Sequence, residues 1–435
     1  MDTSRSDEVR AQWAEHVMPA TVTLYDEPLP IESAEGLTVT DVDGREYLDF
    51  FGGILTVSVG HGEPRVTAAV KAQIGRLTHI SPLYPTVPMA ELAAKLAGIT
   101  PGGLEKTFFS PSGTEADECA ILLAQVATDA TEIIALRHAY SGLSMMGMSL
   151  TAHAPWRKAP SQVAAIKHVA NPYCYRCPLG QTYPECNVQC ARDIEDVIKT
   201  TTTGRIAGFI AEPIQGVGGF ITPPPEYFEV AVEIVRRYGG LFICDEVQTG
   251  FGRLGETWFG IEQWGVEPEI MTMAKGIANG LPLGATIAKT EVADALAPPK
   301  LSTFGGNPVA CAAANATIDV IEEDDLRGNA AERGAELRIG LERLLSRYPG
   351  PMGDVRGRGL MQAIEFVVNE EAGDRTPDAA AANRMLEEAR EAGLLIGKGG
   401  LEGNVLRIAP PLSVSADQIA EGLSLLERAA DRAFA

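Results

Sequence analysis

The feature that most constrains this chain is a regular alternation, between about residues 104 and 290, of short apolar runs with stretches of helical periodicity. Short apolar runs separated by helices are typical of buried parallel strands with helices on both faces of the sheet. In such sheets ligands bind at the carboxyl ends of the strands, so the residues that follow each run are candidates for a functional site. We therefore predict an α/β fold with a mostly parallel sheet. The runs are 106–109, 132–136, 206–211, 241–244, 270–272 and 285–288.

Two further segments flank this region. The chain alternates from about residue 36 and turns at Asp43-Gly44, a dipeptide that favours a β-hairpin. Beyond about residue 310, long helical stretches rich in Ala, Leu, Glu and Arg surround a mixed segment from Gly353 to Ile408. We expect a smaller α+β domain built from the N-terminal segment 1–60 and the C-terminal segment 311–435, beside a large domain at 61–310.

Charge and hydropathy exclude several classes of partner. The 435 residues carry 36 Lys and Arg against 58 Asp and Glu, a net charge of −22, which repels phosphate backbones and anionic lipid surfaces. No apolar run approaches the roughly 18 residues that cross a bilayer, and the first residues lack the cationic and apolar regions of a secretory signal. We expect no nucleic-acid or membrane partner and a cytoplasmic location.

A turn of small residues, 110–114, follows the first run and precedes a helical stretch. The backbone N–H groups at a helix N-terminus carry about half a positive charge and bind phosphate. Gly113 and Thr114 are therefore candidate phosphate donors. An ordinary helix cap formed by Ser112 or Thr114 is the alternative.

An acid, Asp245, follows the run at 241–244. Such an acid either binds the metal of a nucleotide hydrolase or keeps a proton on a ring nitrogen. The hydrolase requires a Gly-x-x-x-x-Gly-Lys-Ser/Thr loop, which this sequence lacks. The glycine-rich stretch at 397–402 also lacks the dinucleotide fingerprint.

A lysine and a tyrosine follow two other runs. Lys275 lies among small and apolar residues, which disfavour its ammonium form and make the amine a nucleophile toward a carbonyl. Tyr140 precedes a Gly turn and either stacks on a planar ring or packs in the core with its hydroxyl in water. A phosphate turn, a stacking ring, an acid and a lysine at four strand ends are what a pyridoxal phosphate site requires, because that cofactor has a ring nitrogen, an aldehyde and a phosphate to hold.

Five motifs in this sequence are similar to those of the class III aminotransferases, which are pyridoxal phosphate enzymes of fold type I. The match runs from about Pro28 to the end of the chain, and it implies a seven-stranded, mostly parallel sheet in the large domain. Within the class, residues 50–61 and the cysteine-containing segment after Pro172 most resemble the alanine-glyoxylate aminotransferase 2 and ω-aminotransferase branch. The motifs are Ser-Gly-Thr-Glu-Ala at 112–116, Ala-Glu-Pro-Ile-Gln-Gly at 211–216, Asp-Glu-Val-Gln-Thr-Gly-Phe-Gly-Arg at 245–253, Met-Ala-Lys-Gly at 273–276 and Ser-Thr-Phe-Gly-Gly-Asn-Pro at 302–308.

The resemblance implies a role for each of these positions. Lys275 forms the covalent bond to the cofactor's aldehyde, Asp245 pairs with the ring nitrogen, and Tyr140 stacks on the ring. Arg407 matches the arginine that binds a substrate carboxylate, with a structural salt bridge as the alternative, and Glu212 matches the acid that can pair with this arginine. The remaining positions are Gln248 at the ring hydroxyl, Gly113 and Thr114 at the phosphate, Thr303 at the phosphate of the neighbouring subunit, Gly53 at the substrate pocket, and Ser141, which stands where family members usually have His.

The reaction that the resemblance implies is the transfer of an amino group from an amino acid or an ω-amino donor to a keto acid such as pyruvate or glyoxylate. The two half-reactions follow ping-pong kinetics, and the enzyme is expected to be a homodimer or a higher homo-oligomer. A lyase, a decarboxylase or an aminomutase uses the same lysine and acid and stays an alternative. A non-catalytic scaffold is the alternative from another class. The sequence does not identify the amino donor.

Four of the seven cysteines lie in one short segment, as Cys174, Cys177, Cys186 and Cys190. Two short-spaced pairs of thiolates can form a tetrahedral structural zinc site. The alternative is four reduced thiols in a compact, proline-containing loop, and disulfides are disfavoured in a reducing cytoplasm. We assign no metal to the catalytic site.

Overall fold

A computed structural model describes residues 4–157, 163–297 and 299–434 of the chain. Short 3₁₀ turns lie at Ala154–Trp156, Gly260–Trp264, Lys275–Ala278 and Glu370–Ala372. The strands are β1 (Ile31–Glu35), β2 (Thr38–Asp41), β3 (Glu46–Asp49), β4 (Lys106–Ser110), β5 (Ile133–Leu136), β6 (Ile166–Val169), β7 (Gly208–Ala211), β8 (Leu241–Asp245), β9 (Ile270–Met273), β10 (Gly284–Ala288), β11 (Met352–Arg358), β12 (Met361–Asn369), β13 (Asp374–Pro377), β14 (Leu394–Leu395), β15 (Gly397–Gly399) and β16 (Val405–Ile408). The helices are α1 (Arg5–His16), α2 (Gly52–Leu55), α3 (Pro64–Arg76), α4 (Val87–Ile99), α5 (Gly113–Thr128), α6 (Met145–Leu150), α7 (Gln189–Thr201), α8 (Tyr227–Arg237), α9 (Thr290–Ala293), α10 (Pro308–Glu323), α11 (Leu326–Arg347), α12 (Ala379–Ala392) and α13 (Ala416–Phe434).

Seven strands form the central sheet in the order β4-β10-β9-β8-β7-β5-β6. Strands β9, β8, β7, β5 and β6 pair in parallel, and β10 lies antiparallel between β4 and β9. The α/β class and the mostly parallel sheet are thus confirmed. The edge strand β6 was not among the predicted runs.

Helices cover both faces of this sheet, which explains why its inner strands consist mostly of apolar residues. Successive side chains of a strand point to opposite faces. Ile210 of β7 packs in one apolar cluster with Ala120 of α5, whereas the preceding Phe209 packs in the other cluster with Phe228 of α8. The core of the large sheet therefore lies in two layers.

Two smaller sheets complete the fold. One joins β11, β12, β16 and β15, with β13 beside β12, and the other has the order β1-β2-β3-β14. The predicted hairpin is present as β2 and β3, with Gly44 at a φ of 86° in the turn between them. Because β14 pairs with β3 in parallel, the N-terminal and C-terminal segments share a sheet.

The domain boundaries stay a prediction, and the one placed between residues 310 and 311 falls inside α10. This helix packs against α3 and α4, which lie in the predicted large domain. Across the described ranges, no helix has both the length and the apolar character needed to cross a bilayer.

Candidate active site

The loops after five strands of the central sheet surround a cavity of about 270 Å³. These loops follow β4, β5, β7, β8 and β9, which share one direction in the sheet. Parallel strands bring their carboxyl ends to the same edge, as expected for a ligand site. Seven of the predicted site residues line this cavity, namely Gly113, Thr114, Tyr140, Glu212, Asp245, Gln248 and Lys275.

The start of α5 forms one wall of the cavity. Ser112 caps the helix, since its hydroxyl accepts a hydrogen bond from the Glu115 N–H at 3.3 Å. The N–H groups of Gly113 and Thr114 have no acceptor among the described residues, so they are available to an anion. The cap and the anion site are therefore compatible.

A close contact fixes the turn beside this helix start. Gly142 has a φ of +115°, and a Cβ on it would lie 2.0 Å from the Thr114 Oγ1 atom. Only glycine fits this position, because a side chain would collide with Thr114 and strain the backbone. Ser141, the departure from the family pattern, lies next to this turn and lines the cavity, and its N–H is bound by the Thr151 hydroxyl at 3.0 Å.

Asp245 and Gln248 present polar atoms to the cavity. Asp245 is 4% exposed, and its Oδ1 accepts a hydrogen bond from the Val247 N–H at 3.0 Å. Burial raises the pKa of Asp245, while the Val247 N–H and the Lys275 ammonium oppose that rise. The buried Oε1 of Gln248 has no partner in the described structure. Both side chains are thus positioned to bind a polar ligand.

The neighbouring acid, Glu246, has a structural role. It is fully buried, and its carboxylate accepts hydrogen bonds from the Gly260 N–H at 2.9 Å, the Ile261 N–H at 2.7 Å and the Thr249 hydroxyl. These bonds hold the loop that follows β8. Only the first acid of the pair faces the cavity.

Lys275 occupies a strained position that the surrounding backbone holds in place. Its φ is 45°, a left-handed conformation that costs a non-glycine residue about 1–3 kcal/mol. The next turn is bound to the segment before α3, since the Asn279 amide accepts from the Val59 N–H at 3.0 Å and donates to the Gly60 carbonyl at 2.9 Å.

The Lys275 amine lies in a site that favours its neutral form. Burial lowers its pKa, and the nearby carboxylates of Asp245 and Glu212 oppose this. A larger neutral fraction makes the amine a better nucleophile.

Arg407 of β16 lies just beyond the cavity lining. Its guanidinium lies 4.9 Å from the Phe51 ring centroid and 5.6 Å from that of Phe220, and its Nε donates to the Lys398 carbonyl at 3.1 Å. Burial lowers the pKa of Arg407 to about 10, and Glu212 opposes this effect. A buried guanidinium that has further N–H donors available is suited to bind a carboxylate.

Glu212 and Arg407, the predicted partners, both bind the backbone of Gly216, one at its N–H and the other at its carbonyl. The Glu212 Oε2 accepts from the Gly216 N–H at 2.8 Å, and the Arg407 Nη1 donates to the Gly216 carbonyl at 3.5 Å. No direct ion pair joins the two side chains among the described contacts. Burial raises the pKa of Glu212, and the adjacent Asp245 adds to this rise.

The structure does not bring Thr303 or Gly53 to the cavity of this chain. Thr303 is exposed in the loop before α10, and Gly53 is exposed in α2. The short element α2 is a left-handed turn, with φ values of 59° at Gly53 and 66° at Ile54. Asp49 holds this turn by accepting hydrogen bonds from the N–H groups of Phe51 and Gly52 at 2.8 and 2.9 Å.

Sequence reasoning missed several residues that line the cavity. Asp117 lies four residues after Gly113 on α5, and this spacing places both on one helix face, a signal that was available. Thr56 and the segment 280–283 carry no comparable signal, because their approach to the cavity depends on how distant loops fold back.

The four clustered cysteines line one small cavity of about 10 Å³. All four thiols are free. Within the described ranges, no group of three or more His, Cys, Asp or Glu side chains is arranged to hold a metal ion. The structure thus offers no preformed site for the zinc alternative.

The cavity at the strand ends fits pyridoxal phosphate. Two unpaired N–H groups at the start of α5 suit its phosphate, the free carboxylate oxygen of Asp245 suits its ring nitrogen, and the Lys275 amine suits its aldehyde. Gln248 supplies an unpartnered amide oxygen beside them. When bound, this cofactor supplies an electron sink for the bonding electrons of a substrate carbon.

Comparisons with known proteins agree with this geometry. The class-III aminotransferase family matches residues 22–430. The mitochondrial alanine--glyoxylate aminotransferase 2 homolog 2 of Arabidopsis thaliana is 41% identical over 413 residues, which cover 95% of this chain and 85% of that protein. The leucine/methionine racemase of Thermococcus litoralis is 35% identical and covers 98% of this chain and 95% of its own length.

A solved structure adds the cofactor. An amine transaminase from an uncultivated Pseudomonas species, determined in its pyridoxal-phosphate-bound form, is 34% identical with a TM-score of 0.87 and covers 96% of this chain and 98% of its own. The predicted family and its alanine-glyoxylate aminotransferase 2 branch are confirmed. The chain belongs to the class-III aminotransferases and is a transaminase that depends on pyridoxal 5′-phosphate.

Proposed function

We propose that this transaminase takes its amino group from alanine or an ω-amino acid and passes it to glyoxylate or pyruvate. The observation that carries the proposal is the Lys275 amine facing the same cavity as Asp245, with Arg407 at its edge. The named activity of the Arabidopsis relative supports alanine and glyoxylate as one substrate pair.

Lys275 and Asp245 perform the proton chemistry in this proposal. Lys275 would hold the cofactor's aldehyde carbon, and as a free amine it would act as general base and then general acid, moving a proton from the substrate carbon to that cofactor carbon in the first half-reaction and in the opposite direction in the second. The Asp245 carboxylate holds a proton at the ring nitrogen, where a preorganised buried charge is most effective. The hydrogen bond from the Val247 N–H orients the Asp245 carboxylate before a ligand binds.

Tyr140 and the start of α5 position the cofactor. The Tyr140 ring packs edge-to-face on Trp156, with centroids 5.6 Å apart and an interplanar angle of 74°, so its own orientation is set before a ligand binds. The N–H groups of Gly113 and Thr114 bind the phosphate, and Gln248 binds the ring hydroxyl.

Arg407 binds the substrate carboxylate through the planar fork of its guanidinium. The Phe51 and Phe220 rings and the Lys398 carbonyl hold this fork in place. Glu212 is close enough to influence the charge of Arg407 without contacting it, so a substrate carboxylate does not have to displace a direct ion pair.

A substrate panel tests the proposal. Purified holoenzyme is mixed with alanine, β-alanine, 4-aminobutyrate or a simple amine, and with glyoxylate or pyruvate as acceptor, and the amino acid product is quantified. We expect amino transfer with at least one donor that carries a carboxylate. Release of ammonia or carbon dioxide, or racemisation of the donor without an acceptor, in place of transfer would contradict it.

Chemical trapping tests the lysine separately. Borohydride reduction of the holoenzyme followed by peptide mass mapping should label Lys275 with the cofactor. An unlabelled Lys275 in a protein that retains cofactor would overturn the assignment.

We further propose that the enzyme is a homodimer in which Thr303 reaches the partner's phosphate site. Phe304, 60% exposed, lies beside this threonine, and its ring is 5.1 Å from that of His79. This contact joins the Thr303 loop to a second exposed apolar segment that includes Leu83 and Tyr84, which are 69% and 60% exposed. Large exposed apolar patches are typical of protein interfaces, so these exposed side chains support an interface near the Thr303 loop.

The homodimer is tested by light scattering of the holoenzyme and of Phe304→Glu. We expect a dimer for the first and a larger monomer fraction with weaker cofactor binding for the second. A monomeric and active wild-type enzyme would exclude the proposed role of Thr303.

A further inference from the structure

Asp117 is a buried acid that the chemistry above does not use. It lies on the second turn of α5, is 2% exposed and lines the cofactor cavity. Its Oδ1 accepts a hydrogen bond from the Thr272 hydroxyl at 2.7 Å. No other hydrogen bond to its carboxyl is present in the described structure. If a buried carboxyl with only one neutral hydrogen-bond donor ionises, its negative charge is poorly stabilised.

Asp117 lies next to Asp245 because of the sheet register. Thr272 of β9 is paired with Asp245 of β8 in the parallel ladder, and paired residues of neighbouring strands point to the same face, about 4.8 Å apart. α5 packs on both strands, so the Asp117 carboxyl, bound to Thr272, is a close neighbour of the Asp245 carboxylate.

The charged groups on the other elements around Asp117 do not offset the negative charge of Asp245. Besides Asp245, the groups that act on Asp117 are Glu212 after β7 and Lys275 after β9. Other charges on elements packed against α5, such as Glu291 of α9 and Lys106 of β4, are exposed. The nearby charge is therefore mainly negative, with one lysine.

The two neighbouring acids differ in what stabilises their charge. Asp245 has a backbone N–H and Lys275 to stabilise its anion, whereas Asp117 has one hydroxyl. Burial, and then the charge of Asp245, raise the pKa of Asp117 well above its usual range. Because two adjacent buried carboxyls do not both ionise, Asp117 is the one that keeps the proton.

Cofactor binding adds a second anion on the other side of Asp117. The phosphate site at Gly113 and Thr114 lies one helical turn before Asp117 on the same face of α5. We propose that Asp117 is a positioning residue that must remain a neutral carboxylic acid, between the phosphate site and Asp245, for the enzyme to retain its cofactor. Its ionisation at alkaline pH weakens cofactor binding by repelling the phosphate.

The test measures the affinity of the full-length protein for pyridoxal phosphate between about pH 6 and pH 10. Wild type is compared with Asp117→Asn, which keeps an acceptor for Thr272 and cannot ionise. The control is Glu118→Gln, a change of the same size at the adjacent, partly exposed position of α5. The ratio of two affinities at each pH removes the titration of the cofactor and of Lys275, which all three proteins share.

We expect Asp117→Asn to match the wild-type affinity within about twofold at pH 6 and to exceed it about tenfold at the alkaline end, which corresponds to one pKa unit of linkage. Glu118→Gln should follow the wild type throughout. Parallel profiles for wild type and Asp117→Asn would overturn the proposal, as would an Asp117→Asn affinity that is lower at every pH.

A second variant keeps the test decisive if Asp117→Asn does not fold. Thr272→Val removes the one donor that stabilises the Asp117 anion, so the loss of affinity should move to higher pH. An unchanged transition in Thr272→Val would contradict the proposal. Activity is not needed for either measurement, so the readout does not depend on the identity of the substrate.

Discussion

Two buried groups of charges in this protein are organised in opposite ways. The cavity cluster consists of Asp117, Glu212, Asp245 and Lys275, and it has raised pKa values for its acids and a lowered pKa for its lysine. The second group, which we call the Glu365 cluster, lies between the cysteine-containing segment and β12. It consists of Glu365, Tyr173, Arg176, Arg356 and Asn404.

Each charged side chain in the Glu365 cluster forms an ion pair with a side chain of opposite charge. The Glu365 side chain is fully buried and accepts hydrogen bonds from the Arg356 guanidinium at 2.6 Å, from Asn404 at 3.3 Å, and from Tyr173 and Arg176. Burial alone raises the pKa of Glu365, but Arg356 foremost, with Tyr173 and Arg176, brings it below its usual value. This cluster joins segments that are far apart in the sequence.

The difference shows what each cluster is for. A buried ion pair is tolerated when its members satisfy one another, and removing one member leaves an uncompensated charge. No described ion pair includes a member of the cavity cluster, whereas Glu365 forms two; the Oε1 of Gln248 beside the cavity cluster also has no partner in the described structure, so a ligand can complete the site. Perturbed pKa values like those of the cavity cluster concentrate at functional sites.

The largest expected effect is on catalysis, from Lys275→Ala. Loss of both the covalent attachment and the acid–base group should lower kcat by about 10⁴-fold or more. The free energy of unfolding of the cofactor-free protein should stay equal or rise, because a desolvated amine is removed while alanine keeps the same backbone conformation. Steady-state rates and urea unfolding measure the two quantities, with Lys199→Ala on the surface as the control. A variant that retains more than a tenth of the activity would refute the role of Lys275.

The Glu365 cluster should respond in the opposite way. Glu365→Ala leaves Arg356 and Arg176 without their shared partner, and we expect the free energy of unfolding to fall by about 3–5 kcal/mol. The kcat per folded molecule should change little, since Glu365 does not line the cavity. Thermal or urea unfolding and an active-site titration check both expectations. Glu371→Ala, an exposed acid near the same sheet, is the matched control and should have no effect on either quantity.

Arg407→Gln separates binding from chemistry within the cavity region. Removing a charge-assisted hydrogen bond costs about 1.5–3 kcal/mol, so kcat/KM for keto acids should fall about 10- to 100-fold. The same variant should use simple amines nearly as well as the wild type, because these lack a carboxylate. Equal losses for keto acids and for amines would show that Arg407 supports the fold and does not bind a carboxylate.

The sequence predicted the parts of this molecule that depend on local pattern. Six apolar runs identified six of the seven strands of the sheet, and the residues after them identified most of the cavity lining. Strand β6 was missed because Lys167 and His168 interrupt its apolar character, as an edge strand with one open side allows. The sequence could not show that Glu212 and Arg407 both bind the Gly216 backbone and form no direct ion pair in the described structure. The position of Gly216 depends on the packing of two loops.

The same limit applies to the Glu365 cluster and to Asp117. Glu365 forms hydrogen bonds with Tyr173, which is 192 residues away in the sequence, and with Arg356, which is 9 residues away. No regular spacing in the sequence predicts that these three residues are in contact. Helical spacing from Gly113 could predict that Asp117 faces the cavity. Its position next to Asp245, however, depends on the register of β9 against β8, which only the assembled sheet defines.

The smallest expected effect concerns the pH dependence of stability, and its sign differs between the two clusters. The pKa of Glu212 is raised in the folded state, so its contribution to stability is fully present below the unfolded pKa of about 4.3 and is lost as the pH rises through the folded value. The pKa of Glu365 is lowered, so its contribution is present above about pH 4.3 and is lost as the pH falls through the folded value. Cofactor-free Glu212→Gln should therefore be more stable than the wild type at pH 8, by on the order of 1 kcal/mol, and equal to it at pH 4. Glu365→Gln should be less stable at pH 8, and the gap should close only in acid. Urea unfolding at pH 8, 6 and 4 measures both, and two variants that shift in the same direction would remove the physical distinction between the clusters.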